Sequence, residues 1–459
     1  MGSLTSGGAL DLWTRPLSRG GLARETLRLR LGSAWRSDPV LLGFLEEMEE
    51  ELDPEIAAIR RGGDPGRAWT SRTTFRLEAR DRERGAVRAV WIGDLAVRLG
   101  NRLAWHQRME IASREGDDLT FDGKVWKRGI TGRFTHAYAA FRIDPVRVTA
   151  GRRSVAWGNG IGGSLLLQGG SPPLDGFGVE GRIGPVDFSA FTAELDDRPA
   201  DSTGTPARRF LSGHRVSLRL GNRARIALSE TVLYGGVGRD PEWDYANPLL
   251  SYYAAQWNRN RDDNVFWSMD GTFRVREELD VYGEFLVDDF QYDFETEPNQ
   301  IAFLAGARLK RLPGAPGFFF DLEYVRVNNW VYGHEHNWNR YMNGDAMLGH
   351  PIGPDADRTT ARLAWRRGAC WDVTARWDFL REGEGSIDDP RDSAVPFGST
   401  FLGGDVVRTT LPALRVDWHP EAGRRFSIGW ERNGRKQWVV SLAAEIRFAR
   451  TAPITDLVD

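Results

Sequence analysis

The stretch Trp371-Asp372-Val373-Thr374-Ala375-Arg376-Trp377-Asp378-Phe379 alternates without a break: each odd position is apolar and each even position polar. In an extended chain successive side chains point to opposite faces, so this segment is a strand with one apolar and one charged face. The pattern recurs. Trp438, Val440, Leu442, Ala444, Ile446 and Phe448 oppose Ser441, Glu445 and Arg447. Leu103, Trp105, Met109 and Ile111 oppose Arg102, His106, Arg108 and Glu110. Leu279, Val281, Gly283, Phe285 and Val287 oppose Asp280, Tyr282, Glu284 and Asp288.

A soluble sandwich also alternates, but two features favour a membrane barrel. The polar face carries full charges of both signs in strand after strand. Tryptophans recur near strand ends, at Trp91, Trp105, Trp365, Trp371, Trp418, Trp430 and Trp438, as interfacial girdles require.

Working outward, strands are expected near 72–80, 88–98, 101–114, 134–143, 145–152, 175–183, 185–195, 208–220 and 223–235. Others are expected near 263–274, 278–288, 300–310, 316–328, 357–367, 370–381, 405–418, 423–432 and 436–449. The count is about 18, an even number. Joins after even strands are tight, as at Leu99-Gly100, Asp144, Gly184, Gly221-Asn222, Arg276-Glu277 and Gly368; the longest is near 311–317. Joins after odd strands are long: 115–133, 153–174, 196–207, 236–262, 329–356 and 382–404. A sandwich has no reason to sort loop length by parity, whereas an outer-membrane barrel has short periplasmic turns and long outer loops. The fold class is therefore all-β: a single transmembrane antiparallel up-and-down β-barrel in the cell outer membrane, preceded by a short helical periplasmic or plug segment.

Composition agrees. The chain has 459 residues, 27% of them charged, with 52 Gly, 18 Trp and a net charge of −3. That charge gives no pull toward nucleic acid. No run approaches the length of an apolar transmembrane helix. No signal peptide is visible, so export is inferred from the barrel. Cys370 stands alone, which rules out an internal disulfide, and it reads as a small packing residue in a strand.

Residues 1–66 form the expected N-terminal segment, 67–450 the barrel and 451–459 a tail. Within the first, Asp38 and Pro39 look like a helix N-cap and first helical residue. Leu41, Leu42, Leu45, Met48 and Leu52 follow at helical spacing, with Glu46, Glu47, Glu49, Glu50 and Glu51 opposite. Asp53-Pro54 interrupts, and a second helix runs from Glu55 to Arg61. These helices pack on the periplasmic mouth or plug it, and offer a surface to an envelope protein partner.

Several stretches resemble the capsule assembly Wzi family of outer-membrane proteins. One is Gly151-Arg152-Arg153-Ser154-Val155-Ala156-Trp157-Gly158-Asn159-Gly160 with Ser164-Leu165-Leu166-Leu167 and Pro172-Pro173-Leu174-Asp175-Gly176-Phe177. The next is Ser212-Gly213-His214-Arg215 with Leu228-Ser229-Glu230-Thr231-Val232-Leu233-Tyr234-Gly235-Gly236. Asn247-Pro248-Leu249-Leu250 leads to Asp262-Asp263-Asn264, and Tyr282-Gly283-Glu284-Phe285-Leu286-Val287-Asp288-Asp289-Phe290 closes the series. The resemblance covers roughly 150–290 well; beyond it only the strand pattern agrees. It implies a barrel of about 18 strands with periplasmic helices. It further implies a non-enzymatic, lectin-like role in holding capsular or exopolysaccharide at the cell surface, with outer-membrane lipid and lipopolysaccharide as surroundings. A porin or substrate-specific channel for small polar solutes, and a scaffold for another envelope protein, are the competing readings.

Candidate sites lie in the long loops. Glycines at 158, 160, 162, 163, 169 and 170 allow the loop at 153–174 to fold inward or simply to turn tightly. No Gly-Lys-Ser/Thr follows, so it is not a phosphate loop. Trp243, Asp244, Tyr245, Asn247, Tyr252, Tyr253 and Trp257 in one loop, and Trp330, Tyr332, His334, His336, Trp338 and Tyr341 in another, suit sugars. Aromatic rings stack on the C–H faces of a sugar, and amides and carboxylates bond its hydroxyls. The same aromatics would equally pack the loops together and close the pore.

Arg215, Glu230, Glu284, Asp288, Arg376 and Asp378 are expected lumen charges. His334 and His336 could share a metal only with Glu335 or Asp345, without a cysteine or catalytic spacing, so no metal or cofactor is expected. Asp262-Asp263 and Asp288-Asp289 more readily pair with arginines such as Arg215, Arg219, Arg225 and Arg274 than bind calcium. No catalytic set is found. A glycosidase built on Glu230 and Glu284 would need them about 5–9.5 Å apart.

Overall fold

A computed structural model of the chain describes residues 14–15, 19–31, 45, 48–49, 52–60, 68–80, 86–100, 102–113, 121–200, 202–289, 298–312, 314–368, 370–389, 401–421, 423–434 and 436–453. Eighteen antiparallel strands close into one barrel. The first nine are β1 Ala68–Arg80, β2 Ala86–Leu99, β3 Leu103–Ala112, β4 Thr131–Ile143, β5 Val146–Arg153, β6 Leu174–Ile183, β7 Val186–Glu194, β8 Pro206–Leu220 and β9 Ala224–Gly236. The rest are β10 Asn264–Arg276, β11 Leu279–Asp289, β12 Gln300–Leu309, β13 Phe318–Val327, β14 Ala356–Arg367, β15 Trp371–Glu382, β16 Val407–Trp418, β17 Arg424–Arg432 and β18 Trp438–Pro453. Each follows the strand expected from alternation. Closure is made by β1 on β18, in register from Ala68↔Pro453 to Arg80↔Ser441. Closing the sheet leaves no edge strand to template unwanted pairing.

The two faces follow the pleat. Trp377, Phe379, Trp430, Trp438, Leu442 and Phe448 are exposed on the outside. Trp371 stacks on Trp418 with ring centroids 5.9 Å apart, and Trp430 on Trp438 at 4.0 Å. Inside, charge pairs with charge: Arg76 with Glu445 at 2.9 Å, Arg308 and Arg362 with Asp321 at 2.9 and 2.6 Å, and Lys310 with Asp280 at 2.6 Å. Such pairing is what lets a confined lumen hold so many ions. Short turns join the strands at the end bearing both barrel termini. Gly184 and Gly368 turn there at φ 58°, a left-handed conformation that an L side chain resists.

The N-terminal segment differs from expectation. α1, Arg19–Leu31, was not foreseen, because its arginine-rich sequence carries no clear apolar stripe. α2, Asp53–Arg60, begins at the predicted break. Ala23 of α1 packs with Leu52 and Ile56, joined by Leu22, Leu27, Met48 and Ile59. Asp38, Pro39, Leu41, Leu42 and Glu46, Glu47, Glu50 and Glu51 lie outside the described residues. Thr14–Arg15 pairs with Ala156–Trp157 and so threads the N-terminal chain onto a barrel loop. Cys370 is exposed in the turn before β15, not packed in a strand.

Candidate functional site

Two loops fold into the lumen. The first, 154–173, joins β5 to β6; the second, 328–355, joins β13 to β14. Trp157, Leu165, Leu166 and Leu167 from one and Val331, Tyr332, Tyr341 and Leu348 from the other share a buried core with wall residues Leu211, Phe266 and Leu304. The loops also bond each other. Gln168 N–H donates to the Leu348 carbonyl at 3.0 Å, its side-chain amide to the Met347 carbonyl at 2.6 Å, and the Tyr332 hydroxyl to the Leu165 carbonyl at 2.6 Å.

The wall holds the first loop by its main chain. Glu284 on β11 accepts from the N–H groups of Asn159, Gly160 (2.9 Å) and Leu165 (2.7 Å). Glu323 on β13 accepts from Ile161 N–H at 2.7 Å, Gly162 N–H at 3.1 Å and the Tyr282 hydroxyl at 2.9 Å. Arg358 on β14 donates to the Gly162 carbonyl at 3.2 Å. Arg215 pairs with Asp270 through both nitrogens, one at 2.9 Å, and Asn159 donates its amide to the same carboxylate at 3.3 Å. Inward folding depends on glycine at Gly160: an added Cβ would sit 1.8 Å from the Gly163 carbonyl oxygen.

The second loop is pinned by Arg209 on β8, which is 0% exposed. Its guanidinium donates to the carbonyls of Trp338 (2.6 Å), Arg340 (2.8 Å) and Met342 (2.8 Å), and to Asp196 at 2.8 Å. Asp288 accepts from Tyr332 N–H at 2.6 Å. Tyr332 itself (φ 72°) and Trp330 (φ 64°) are left-handed, a conformation that non-glycine residues adopt only when their surroundings enforce it. His350 is fully buried, with its Nε2 only 3.3 Å from the Arg358 guanidinium. Burial first, and then the charges of Arg358 and Arg376, push its pKa well below the usual histidine range.

The predicted lumen charges Arg215, Glu284, Asp288, Arg376 and Asp378 point inward by the pleat. Glu230 does not. It pairs across β9–β10 with Trp267 and shares the outer face with Ile226 and Leu228. The loop 237–263 lies over it on the outside of the barrel. There Glu230 accepts from Trp267 Nε1 (2.9 Å), Tyr253 N–H (2.9 Å) and the Ser251 hydroxyl (3.2 Å), with His214 Nε2 at 3.1 Å. It thus secures the start of α3, Tyr252–Asn258.

The predicted aromatic residues divide. Tyr245 and Tyr252 are buried beneath the outer-wall loop with Phe210, Val232 and Tyr234, while Tyr332 and Tyr341 are buried in the plug, so packing is their role. Asp244 pairs with Arg259 and Tyr253 meets Trp267, both on that outer-wall loop. Trp243, Asn247 and Trp257 are exposed on it. Trp330, His334, His336 and Trp338 are partly open at the crest of the plug, on the side away from the barrel termini.

At that crest the His336 ring lies flat on Trp338, centroids 4.5 Å apart and 7° from parallel. The imidazoles of His334 and His336 both turn to Asp262, at 3.5 and 3.4 Å, rather than to Glu335 or Asp345. The His334 hydrogen bond, foremost, holds the Asp262 carboxyl below its usual range. Among the described residues no group of three or more His, Cys, Asp or Glu is arranged to hold a metal ion. Asn339 donates to the Asp262 carbonyl at 2.7 Å, and Asn337 to the Pro199 carbonyl at 2.7 Å. Neither amide oxygen has a hydrogen-bond partner among the described residues. Arg340 reaches out to the Asp388 carbonyl at 2.8 Å. Asp263 turns away from the lumen, taking the Tyr245 hydroxyl at 2.7 Å and Arg239 at 2.8 Å.

Arg209, Glu323, Arg358 and His350 were missed by sequence reasoning. Parity signals Glu323, which shares the inward positions of β13 with Asp321. Nothing local signals what those side chains grip.

The family model of the capsule assembly protein Wzi matches residues 73–418. The chain belongs to that family. Its fold is similar to a solved structure described as Wzi, an outer membrane protein involved in group 1 capsule assembly in Escherichia coli and a carbohydrate-binding β-barrel. The two are 17% identical, with 97% of this chain and 96% of that one covered and a TM-score of 0.67. The outer membrane protein OpdK of Pseudomonas aeruginosa is also similar, at 12% identity, 84% and 99% coverage and a TM-score of 0.50. No curated protein matches the sequence. The Wzi-family chain is thus an outer-membrane barrel, and its similarity to OpdK extends to fold alone.

Proposed function

We propose that this Wzi-family barrel binds and anchors surface polysaccharide, without chemistry on it, at the crest of its plug. The observation that carries the reading is the flat His336–Trp338 pair with Asp262, Asn337 and Arg340 around it, while Asn339 is buried beneath them. A sugar ring stacks its C–H face on such a surface and spends its hydroxyls on amides and charge at the rim. The carbohydrate-binding description of the similar Wzi structure points the same way. A binding role also suits two glutamates that face opposite sides of one wall, since Glu230 and Glu284 then have no common space in which to work as acid and base.

The test is equilibrium binding of capsular polysaccharide to the purified barrel in nanodiscs, with product analysis of the glycan. The expected result is saturable binding of intact polymer that Trp338→Ala weakens. Shortened polymer, or binding indifferent to Trp338→Ala and His336→Ala, would sink the proposal. We further propose α1 and α2 as the contact for an envelope protein partner, checked by copurification with and without residues 1–66.

A further inference from the structure

The lipid-facing wall is shorter on one side of the barrel than on the other. On β15 the outward face runs Trp371, Val373, Ala375, Trp377 and Phe379 before charge begins at Arg381. Each such step climbs about 5 Å in a strand tilted by roughly 40°, so that face spans about 20 Å. On β9 only Ala224, Ile226 and Leu228 precede Glu230, which leaves about 10 Å. The positions above it, Val232 and Tyr234, are sealed under the loop 237–263. That loop therefore occupies a depth at which other strands still face the bilayer.

Large apolar side chains stand out from the loop, beside exposed polar residues such as Asn247 and Asn258. Trp243 is 89% exposed, Leu249 91% and Trp257 69%. Trp257 meets Tyr253 at 6.0 Å, and Tyr253 meets Trp267 on the wall at 4.9 Å, so one aromatic run continues from loop to barrel. Charges on the loop are paired, most of them within it: Arg239 with Glu242 at 3.0 Å and Asp263 at 2.8 Å, Arg261 with Glu242, and Arg259 with Asp244, while Asp240 pairs with Arg208 of β8 at 2.6 Å and Asp262 turns to the plug histidines. A solvated loop needs no such pairing, while one entering an interface does.

We propose that 237–263 is a membrane-seated flap, resting in the outer leaflet with Trp243, Leu249 and Trp257 at the boundary between headgroups and acyl chains. Its partner is lipid, because its apolar surface is continuous with the lipid-facing wall. The flap replaces the missing height of β8 and β9 and ties one sector of the outer loops to the membrane.

The experiment places an environment-sensitive fluorophore (NBD) on single cysteines in a Cys370→Ser background. The protein is reconstituted in vesicles of phosphatidylcholine with lipopolysaccharide. The label at Leu249→Cys, and separately at Trp257→Cys, should lose at least half its emission to a lipid carrying a shallow nitroxide and resist aqueous iodide. Phe448→Cys on the wall serves as the lipid control and Thr203→Cys on another loop as the aqueous one. Iodide quenching at 249 and 257 equal to that at 203 overturns the proposal. Protection from both quenchers together with cross-linking to a second copy also overturns it, in favour of a protein interface.

Discussion

The guanidinium of Arg209 lies 2.6 Å from the carbonyl oxygen of Trp338, the residue whose ring forms the floor of the crest. One wall side chain thus fixes the height of the proposed sugar-binding surface. Arg209→Met should leave three loop carbonyls without their donor, and a cost on the order of 3 kcal/mol is expected for hydrogen bonds to a buried charge. The loss should fall on the plug and not on the barrel. Planar-bilayer recordings should show new open events while the folded barrel still resists detergent denaturation.

Glu284→Gln replaces an acceptor of three N–H groups by an amide that presents a donor to some of them. The same loop is attacked from its own side by Gly160→Ala, which brings a Cβ against the Gly163 carbonyl. Both variants should loosen 154–173. Limited proteolysis should cut the loop faster in each than in the parent, with Glu284→Asp intermediate.

Trp338→Ala should weaken polysaccharide binding roughly tenfold, the loss of about 1.4 kcal/mol of stacking. Trp338→Phe should recover part of it. An unchanged affinity in nanodisc titrations would separate the crest from glycan binding.

His350 gives the plug a pH dependence with a definite sign. Its folded pKa is depressed, so between that value and the unfolded value near 6.5 the unfolded loop binds more protons. Plug stability is therefore fully present above about pH 6.5 and is lost as pH falls below it. Asp262, also depressed, adds a loss only in stronger acid, below its ordinary value of 3.8. Conductance should rise between pH 7 and 5, and His350→Asn should flatten that rise.

The barrel was legible because alternation is a local signal and loop length sorts by parity. Even Glu230 could have been placed: it shares its parity with the outward Ile226, Leu228 and Val232. The expectation that it faced the lumen weighed its charge over its position, and that charge is satisfied by Ser251, Tyr253, His214 and Trp267. The plug was not legible in the same way. Glu284 and Asn159, or Arg209 and Trp338, lie more than a hundred residues apart, and the wall grips main-chain atoms that every residue type shares. The aromatic loops announced rings without saying which would be swallowed. Tyr332 and Tyr341, stacked at 5.8 Å, went to the core, while Trp338, three residues before Tyr341, stayed partly open.

Because Glu284, Glu323 and Arg209 grip the two plug loops by peptide groups and not by side chains, the fastening is indifferent to most of the lettering it fastens. Substitutions that respect the glycines can accumulate on the crest without loosening the joint beneath. A lineage facing a new coat polymer could therefore redraw its recognition surface one residue at a time while inheriting the same cork and the same bottle.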